Sequence, residues 1–216
     1  DSLGRRIDRT RVAVGHDHSL AVKADGTVWA FGENTFGQIG DNTTTRRTTP
    51  VQVLGLVGAT GGAGGDGFSV AVQRDGAAGG VVWAWGQNTL GQLGDGSTVS
   101  RPIAVKVNGV TDVAQVAAGQ AFVIARLRDG SVKAWGKNDR GQLGVLAPAT
   151  STVPFTVPAL ARVRSVSAAN DHGLAVDLDG RVWGWGANDS GQLGGLTYYA
   201  TSGTGAPAVV PLATGA

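Results

Sequence analysis

Apolar residues occur along the chain in short runs that are separated by polar, glycine-rich segments. Residues 113–118 and 121–127 are two such runs, the pair Asp129-Gly130 follows them, and residues 131–136 are a third run. An Asp-Gly pair tolerates the positive φ angles of a two-residue hairpin. No segment has a sustained helical period. The pattern therefore predicts an all-β fold of short antiparallel strands.

The same pattern returns about every fifty residues, which is the signature of a repeat architecture. The motif GQIG at residues 37–40 returns as GQLG at residues 91–94, 141–144 and 191–194. A strand with aromatic residues precedes each motif, and an Asp-Gly turn precedes each of these strands. The first spacing is the longest because residues 77–80 are inserted at a hairpin tip, where extra residues cost little.

All six tryptophans of the chain lie in these aromatic strands. Two aromatic residues stand two positions apart in three of the copies, and therefore share a sheet face. The pairs are Trp29 with Phe31, Trp83 with Trp85 and Trp183 with Trp185, while the third copy has Lys133 and Trp135. Each ring can bury roughly 150–250 Å². We predict that these faces press neighbouring repeats together; a carbohydrate-stacking platform is the alternative.

Segments that begin with a proline, here called the Pro strands, are the candidates for a fourth strand. They lie at residues 50–54, 102–107, 154–160 and 207–213. Grouped with the three strands that follow it, each Pro strand completes the four strands of a propeller blade. This grouping gives a tail at residues 1–10, a propeller domain at 11–216, and repeats at 11–49, 50–101, 102–153 and 154–206. It leaves the first repeat without a Pro strand and residues 207–213 as an orphan or ring-closing strand.

Residues 15–40, with the sequence GHDHSLAVKADGTVWAFGENTFGQIG, resemble the repeat of the regulator-of-chromosome-condensation family. The resemblance implies a β-propeller of four-stranded blades, usually seven in that family. This chain has four copies, and a ring of four would need blades at about 90° to one another. We therefore expect an incomplete ring, completed by more chain or by a second copy in a homodimer.

Composition and charge narrow the class of partner. The net charge is +2, and the cations are scattered apart from a short cluster at residues 5–11, so no basic face for nucleic acid is predicted. The absence of cysteine excludes disulfides, thiol chemistry and Cys-ligated metals. No apolar run approaches the roughly 20 residues that span a bilayer. These features favour a protein partner over nucleic acid or membrane.

The sequence leaves the compartment open. Fourteen of the eighteen cations are arginine, a bias that is typical of GC-rich genomes and suggests a bacterial protein. The chain begins at Asp1, has no methionine and shows no signal peptide. We expect a processed product or a piece of a larger protein, of a kind that is secreted or displayed on the cell surface.

Candidate chemistry is sparse, and we predict no enzyme activity, no cofactor and no metal site. His18 and His172 occupy a repeat position that phenylalanine fills in the other copies, which favours packing; a shared Asp-His site would need blades one and four to meet. The glycine-rich residues 61–67 align with a strand and precede no helix, so they lack the context of a phosphate-binding loop. Residues 177–180 offer too few oxygens for calcium.

Gly62 stands at the repeat position that Val116, a predicted core residue, occupies in the third copy. This exchange predicts loose packing in blade two.

Variable positions inside the fixed frame are the candidate contact sites. The residue before each GQxG motif differs from copy to copy, and aromatic and arginine side chains are typical interface anchors. The predicted partner-binding residues are Phe36, Arg46, Arg47, Leu90, Arg140, Tyr198 and Tyr199. Neutral drift on a surface loop is the alternative reading of these positions. The predicted function is a non-catalytic protein-interaction module; the alternatives are an enzyme inhibitor and a guanine-nucleotide exchange factor for a small GTPase.

Overall fold

The computed structural model describes residues 11–76, 79–146, 148–194 and 205–212. Within these residues it contains sixteen β-strands. Their bounds are β1 (Arg11–Val14), β2 (His18–Val22), β3 (Val28–Gly32), β4 (Arg47–Gln52), β5 (Ala59–Gly64), β6 (Phe68–Arg74), β7 (Gly80–Gly86), β8 (Arg101–Lys106), β9 (Val113–Ala118), β10 (Phe122–Leu127), β11 (Val132–Lys137), β12 (Thr150–Thr156), β13 (Val163–Ala169), β14 (His172–Asp177), β15 (Val182–Gly186) and β16 (Ala208–Val209). The all-β prediction is confirmed.

The strands form four antiparallel meanders of four strands, which are the blades of a β-propeller. Blade one has the order β1-β2-β3-β4, and the other three blades repeat it. The first strand of each blade is innermost. The inner strands β1, β5, β9 and β13 pack against one another in that order around the propeller axis. The insertion after the Asp75 turn joins blades two and three, since Gly80 pairs with Val113.

The Pro strands belong to different blades from those that we predicted. Each one pairs with the aromatic strand that precedes it: β4 with β3, β8 with β7, β12 with β11 and β16 with β15. After the GQxG loop the chain returns along the outer edge of the same sheet, where a proline without an N–H is tolerated. Blade one therefore has all four strands, and residues 207–213 contain the fourth strand of blade four instead of an orphan or ring-closing strand.

In blades two to four, the tryptophan at the second aromatic position of the strand forms the core between blades. Trp85, Trp135 and Trp185 are fully buried. Their indole N–H groups donate to the main-chain carbonyls of Gln38, Gln92 and Gln142 in the preceding blade, at 2.8, 3.1 and 2.9 Å. The first aromatic position is only half-buried. The predicted role of the aromatic face is confirmed, with the inner ring as the main contributor.

The inner strand of blade two carries a glycine where blade three carries a valine. Gly62 lies opposite Ala71, just as Val116 lies opposite Ala125 in blade three. A depression of about 190 Å³ lies beside the inner strands, lined in part by Arg11 and Gly62. A Cβ atom at Gly62 would lie 2.8 Å from the main-chain oxygen of Val70, so loose packing at this position stays a prediction.

The ring is open. Blade one packs on blade two, blade two on blade three and blade three on blade four, but in the described part of the chain the inner strands β13 and β1 do not pack on each other. The prediction of an incomplete ring is confirmed for this chain.

The indole-to-carbonyl contact predicts a clear difference between two tryptophans. Trp135→Phe removes the donor to the buried Gln92 carbonyl, and should lower the free energy of unfolding by about 2 kcal/mol. Trp29→Phe is the control, because Trp29 is half-exposed and donates only to Thr27 of its own hairpin; its effect should stay below about 1 kcal/mol. Urea unfolding followed by circular dichroism measures both. Equal losses would contradict the inter-blade role.

Candidate partner-binding face

The propeller has two ends, which differ in their loops. One end carries the Asp-Gly hairpins and is here called the turn face. The other end, here called the loop face, carries the short turns 15–17, 65–67, 119–121 and 170–171 together with the GQxG loops. The short turns bond across blades through their main chains: His16 N–H to Gly65, Asp66 N–H to Gln120, and Gln120 N–H to Asn170. These bonds make the loop face one continuous surface.

A buried asparagine organises each GQxG loop in blades one to three. In blade two the Asn88 side-chain amide donates to the carbonyls of Ser97 and Val99, and its Oδ1 accepts the N–H of Leu93 at 2.9 Å. Asn34 and Asn138 repeat the contact to the residue five positions on. None of these asparagines has a positive φ, and their side chains reach main-chain groups five to eleven positions further along the loop. The start of each loop is thereby tied to its end.

The glutamine of the GQxG motif has a role that sequence reasoning missed. Its buried side-chain Oε1 accepts the main-chain N–H of the residue two positions earlier, at 2.9, 2.9 and 2.8 Å for Phe36, Leu90 and Arg140. Its own carbonyl accepts the indole of the next blade. The glutamine that is constant in all four GQxG motifs is the sequence signal from which this role could have been predicted. Each variable residue is therefore held in place by the core itself.

Phe36, Leu90 and Arg140 occupy equivalent positions on the loop face of successive blades. Phe36 is 41% exposed, and its ring lies so close to the next blade that a Cβ atom at Gly67 would be 2.7 Å from Cδ2. Leu90 is half-buried and Arg140 is exposed. Arg140 forms an ion pair with Asp189 of blade four. The structure therefore brings three of the predicted residues to one face.

The remaining predicted residues have different positions. The Arg47 side chain is 33% exposed, and its Nε donates to Asp41 at 2.6 Å within its own loop. Arg101 and Asp95 repeat this ion pair in blade two, so the contact is a structural feature of the loop. Arg46 is exposed beside the loop face. Tyr198 and Tyr199 lie outside the described residues.

Acidic residues lie on the segments next to Phe36. Glu33 is three positions before it, Asp66 precedes the Gly67 that the Phe36 ring lies over, and the Asp17 carbonyl accepts the Glu33 N–H at 2.8 Å. Hydrogen bonds from the Thr35 hydroxyl and from main-chain N–H groups hold the pKa of Glu33 below its ordinary value. His16 bonds to Asp17 at 2.8 Å, and this raises the pKa of His16. On the other half of the face, Lys137 and Arg140 are already paired with acids.

A buried histidine links blades one and two beneath this surface. His18 is 4% exposed, and its Nε2 lies 2.8 Å from the hydroxyl of Ser69. That hydroxyl donates to the Gln38 carbonyl, so Nε2 carries the proton that the hydroxyl oxygen accepts. Burial lowers the pKa of His18 to about 4. The predicted packing role of His18 is confirmed.

The shared Asp-His site of blades one and four is not formed, because the ring is open. Among the described residues, no group of three or more histidine, aspartate or glutamate side chains could hold a metal ion. No helix in the described ranges is long and apolar enough to cross a membrane.

Comparison with known families follows the same repeats. The regulator of chromosome condensation (RCC1) repeat matches residues 25–72, 79–126 and 129–176. A second family model of the same repeat matches residues 10–38, 113–142 and 163–192. The chain belongs to the RCC1 repeat family. Each repeat matched by the first family model begins in a hairpin of the turn face, at Asp25, Gly79 or Asp129, and ends in the next blade. The sequence repeat and the structural blade of this RCC1-repeat chain are therefore out of phase.

Individual relatives share parts of the chain or its fold. The human E3 ubiquitin-protein ligase HERC2 is 31% identical over 129 residues, which are 56% of this chain and 2% of HERC2. Yeast RCC1 (Prp20) bound to Kap60 superposes with a TM-score of 0.77 at 21% identity, over 94% of this chain and 48% of Prp20. A structure of Saccharomyces cerevisiae Prp20p described with its binding to Gsp1p and histones gives 0.76 at 23%, over 94% and 50%. This RCC1 chain therefore spans about half of these structures.

The buried His18 predicts a loss of stability in acid. The unfolded chain binds a proton at this imidazole below its ordinary pKa of 6.5, and the folded chain only below about 4. Because the unfolded state binds more protons between these values, the free energy of unfolding should decrease by about 3 kcal/mol in total as the pH is lowered from 6.5 to about 4.

His18→Phe tests this prediction, because blades two and three carry phenylalanine at the same position. Urea unfolding at a series of pH values should show a shallower pH dependence in the variant. His172→Phe is the control, since His172 is half-buried and should contribute less. An unchanged slope in His18→Phe would show that other groups cause the acid sensitivity.

Proposed function

We propose that this chain is a non-catalytic interaction module that binds a protein partner through its loop face. The observation that carries the proposal concerns the residue before each GQxG motif, where the main chain is held in the same way in blades one to three but the side chain differs. Buried asparagine and glutamine side chains hold the main chain identically in blades one to three, while the presented residue changes from Phe36 to Leu90 to Arg140. A rigid scaffold that displays variable side chains suits specific recognition.

Phe36 is the proposed anchor of the interface. It is one of the exposed large apolar residues, and it lies over the glycine of the next blade with little freedom to move. Ordered aromatic side chains at the centre of an interface provide much of its binding energy. Leu90 continues the apolar surface into the next blade, and Arg46 and Arg140 provide polar contacts at the edge.

The charge of the face supports a protein partner over nucleic acid. Asp17, Glu33 and Asp66 lie on segments next to the anchor, and a phosphate backbone close to three carboxylates would be repelled. A partner surface with basic residues around an apolar pocket complements this arrangement.

The relatives support the same class of function. RCC1-repeat propellers mediate protein interactions, and yeast Prp20 is described bound to Kap60 and with its binding to Gsp1p and histones. That likeness keeps guanine-nucleotide exchange on a small GTPase as the second candidate. Enzyme inhibition stays an alternative, because a rigid loop face that carries an aromatic anchor also suits an inhibitor.

Site-specific crosslinking tests the face. A photo-crosslinking amino acid in place of Phe36 should capture a partner in cells of the source organism, and the same group in place of Leu178 should not. Leu178 is 61% exposed and lies on the turn face, so it controls for exposure. The class of the captured protein separates the alternatives: a small GTPase indicates exchange and a hydrolase indicates inhibition. Capture from Leu178 alone would refute the loop-face assignment.

Phe36→Ala should weaken binding of the captured partner by about thirtyfold, which corresponds to a hot-spot loss of about 2 kcal/mol. The exposed ring contributes little to folding, so the urea midpoint should stay within the range of surface substitutions. Leu178→Ala should leave the affinity unchanged. Isothermal titration calorimetry gives all three affinities, and an unaltered value for Phe36→Ala would remove this residue from the interface.

A further inference from the structure

A basic cleft lies between blades one and two on the turn face, at the opposite end of the propeller from Phe36. Its volume is about 330 Å³, and its walls come from the two blades and from the linker between them. Three cations and one carboxylate line it; they are Arg11, Lys23, Arg74 and Asp25. The blades of a propeller surround its axis and leave both ends open, so a ligand can reach this cleft.

Arg74 has no acidic partner, whereas the arginine at the same position of blade three has one. The Arg74 N–H donates to the Gly58 carbonyl at 3.0 Å. In blade three the Arg128 N–H donates to the Asp112 carbonyl at the same distance, and the Arg128 Nε lies 3.5 Å from the Asp112 carboxylate. Blade two has glycine in place of this aspartate, and in the part of the chain that the structure describes no carboxylate forms an ion pair with Arg74. Its exposed guanidinium is therefore available to a ligand.

The one carboxylate of the cleft does not neutralise it. An oxygen of Asp25 accepts the N–H and the hydroxyl of Thr27, at 2.9 and 2.6 Å. The other oxygen lies 3.5 Å from Nζ of Lys23. Asp25 therefore has its partners within its own hairpin, and an anion that enters the cleft meets more positive than negative charge.

The linker beside the cleft is apolar and exposed. Leu54 and Val57 are 49% and 63% exposed, and Val57 directly precedes Gly58, which lines the cleft. The linker between blades two and three has the polar residues Asn108 and Thr111 at these positions. An anionic cleft ligand that also has an apolar group matches this pair of surfaces, and a peptide segment with an acidic and an apolar side chain has both.

We propose that this cleft binds an acidic segment of a protein partner. An aspartate or glutamate carboxylate of the segment pairs with the Arg74 guanidinium, which can donate two parallel hydrogen bonds to it. An apolar side chain of the segment packs on Leu54 and Val57. A phosphate backbone would need cations along its whole length, and the apolar linker provides none. The cleft and the loop face lie at opposite ends, so this site does not depend on the proposed function.

Gly58→Asp should close the site by giving Arg74 the partner that Arg128 has in blade three. Gly58 has a φ of 70° and Asp112 has a φ of 57°, so an aspartate tolerates this conformation. No described atom lies within 4 Å of a Cβ at Gly58. The new carboxylate pairs with Arg74 and repels an acidic ligand, so affinity should fall at least roughly tenfold. Gly58→Asn is the matched control, because it makes the same backbone change without the charge and should keep the affinity.

Peptide selection identifies the ligand. A phage-displayed library of random heptapeptides is selected on the wild-type chain and, in parallel, on Gly58→Asp. Peptides enriched on the wild type alone should carry an aspartate or glutamate next to an apolar residue. Peptides that bind the loop face enrich on both proteins, so they do not affect the result. A selection that enriches no peptide on the wild type alone, or only peptides without an acidic residue, overturns the proposal.

Fluorescence polarisation with one enriched peptide tests the role of Arg74. Arg74→Gln should weaken binding about tenfold, as the loss of a hydrogen bond to a charged group would. Arg128→Gln is the control, since Arg128 already pairs with Asp112, and it should leave the affinity unchanged. Equal losses in the two variants would contradict the site. Inorganic phosphate and a DNA duplex are used as competitors, and displacement of the peptide by either at a lower concentration than by unlabelled peptide would overturn the assignment to a protein segment.

Discussion

The structure depends on a buried indole that donates to a main-chain carbonyl of the preceding blade. Trp85, Trp135 and Trp185 fill the space between sheets, and their N–H groups find the acceptor that a dry interface requires. The accepting residue is the glutamine of GQxG, whose side chain also holds the loop-face residue two positions earlier. Core packing and the presentation of the loop face therefore rest on the same residue.

This coupling explains how a repeat fold can vary its surface without losing stability. The glutamine bonds only the main-chain N–H of the residue before GQxG, so that bond is kept when the side chain changes from Phe36 to Leu90 to Arg140. Membership of the RCC1 repeat family establishes the fold of this chain, and the proposed partner class follows from what its own side chains display.

The open ring gives the chain two kinds of surface. The loop face is polar, acidic around Phe36 and continuous across blades. In the described part of the chain, the outer sides of blades one and four carry apolar side chains, such as Val12, whose equivalents in the other blades are buried. His18 is buried in the interface between blades one and two. It stays unprotonated at neutral pH, because burial lowers its pKa to about 4. Acid therefore affects the junction of blades one and two in particular.

The amino-acid sequence by itself determined the repeat, the strands, the Asp-Gly turns and the inward-facing tryptophans, since these follow from local spacing and from the two-residue period of a strand. Only the tertiary structure decided which sheet each Pro strand joins, because period and turn signals do not say on which edge a strand pairs. It also decided that Arg47 is bound to Asp41, that Arg140 meets Asp189, and that His18 meets Ser69 fifty-one residues away. Such contacts join groups that the chain brings together only after the blades have stacked.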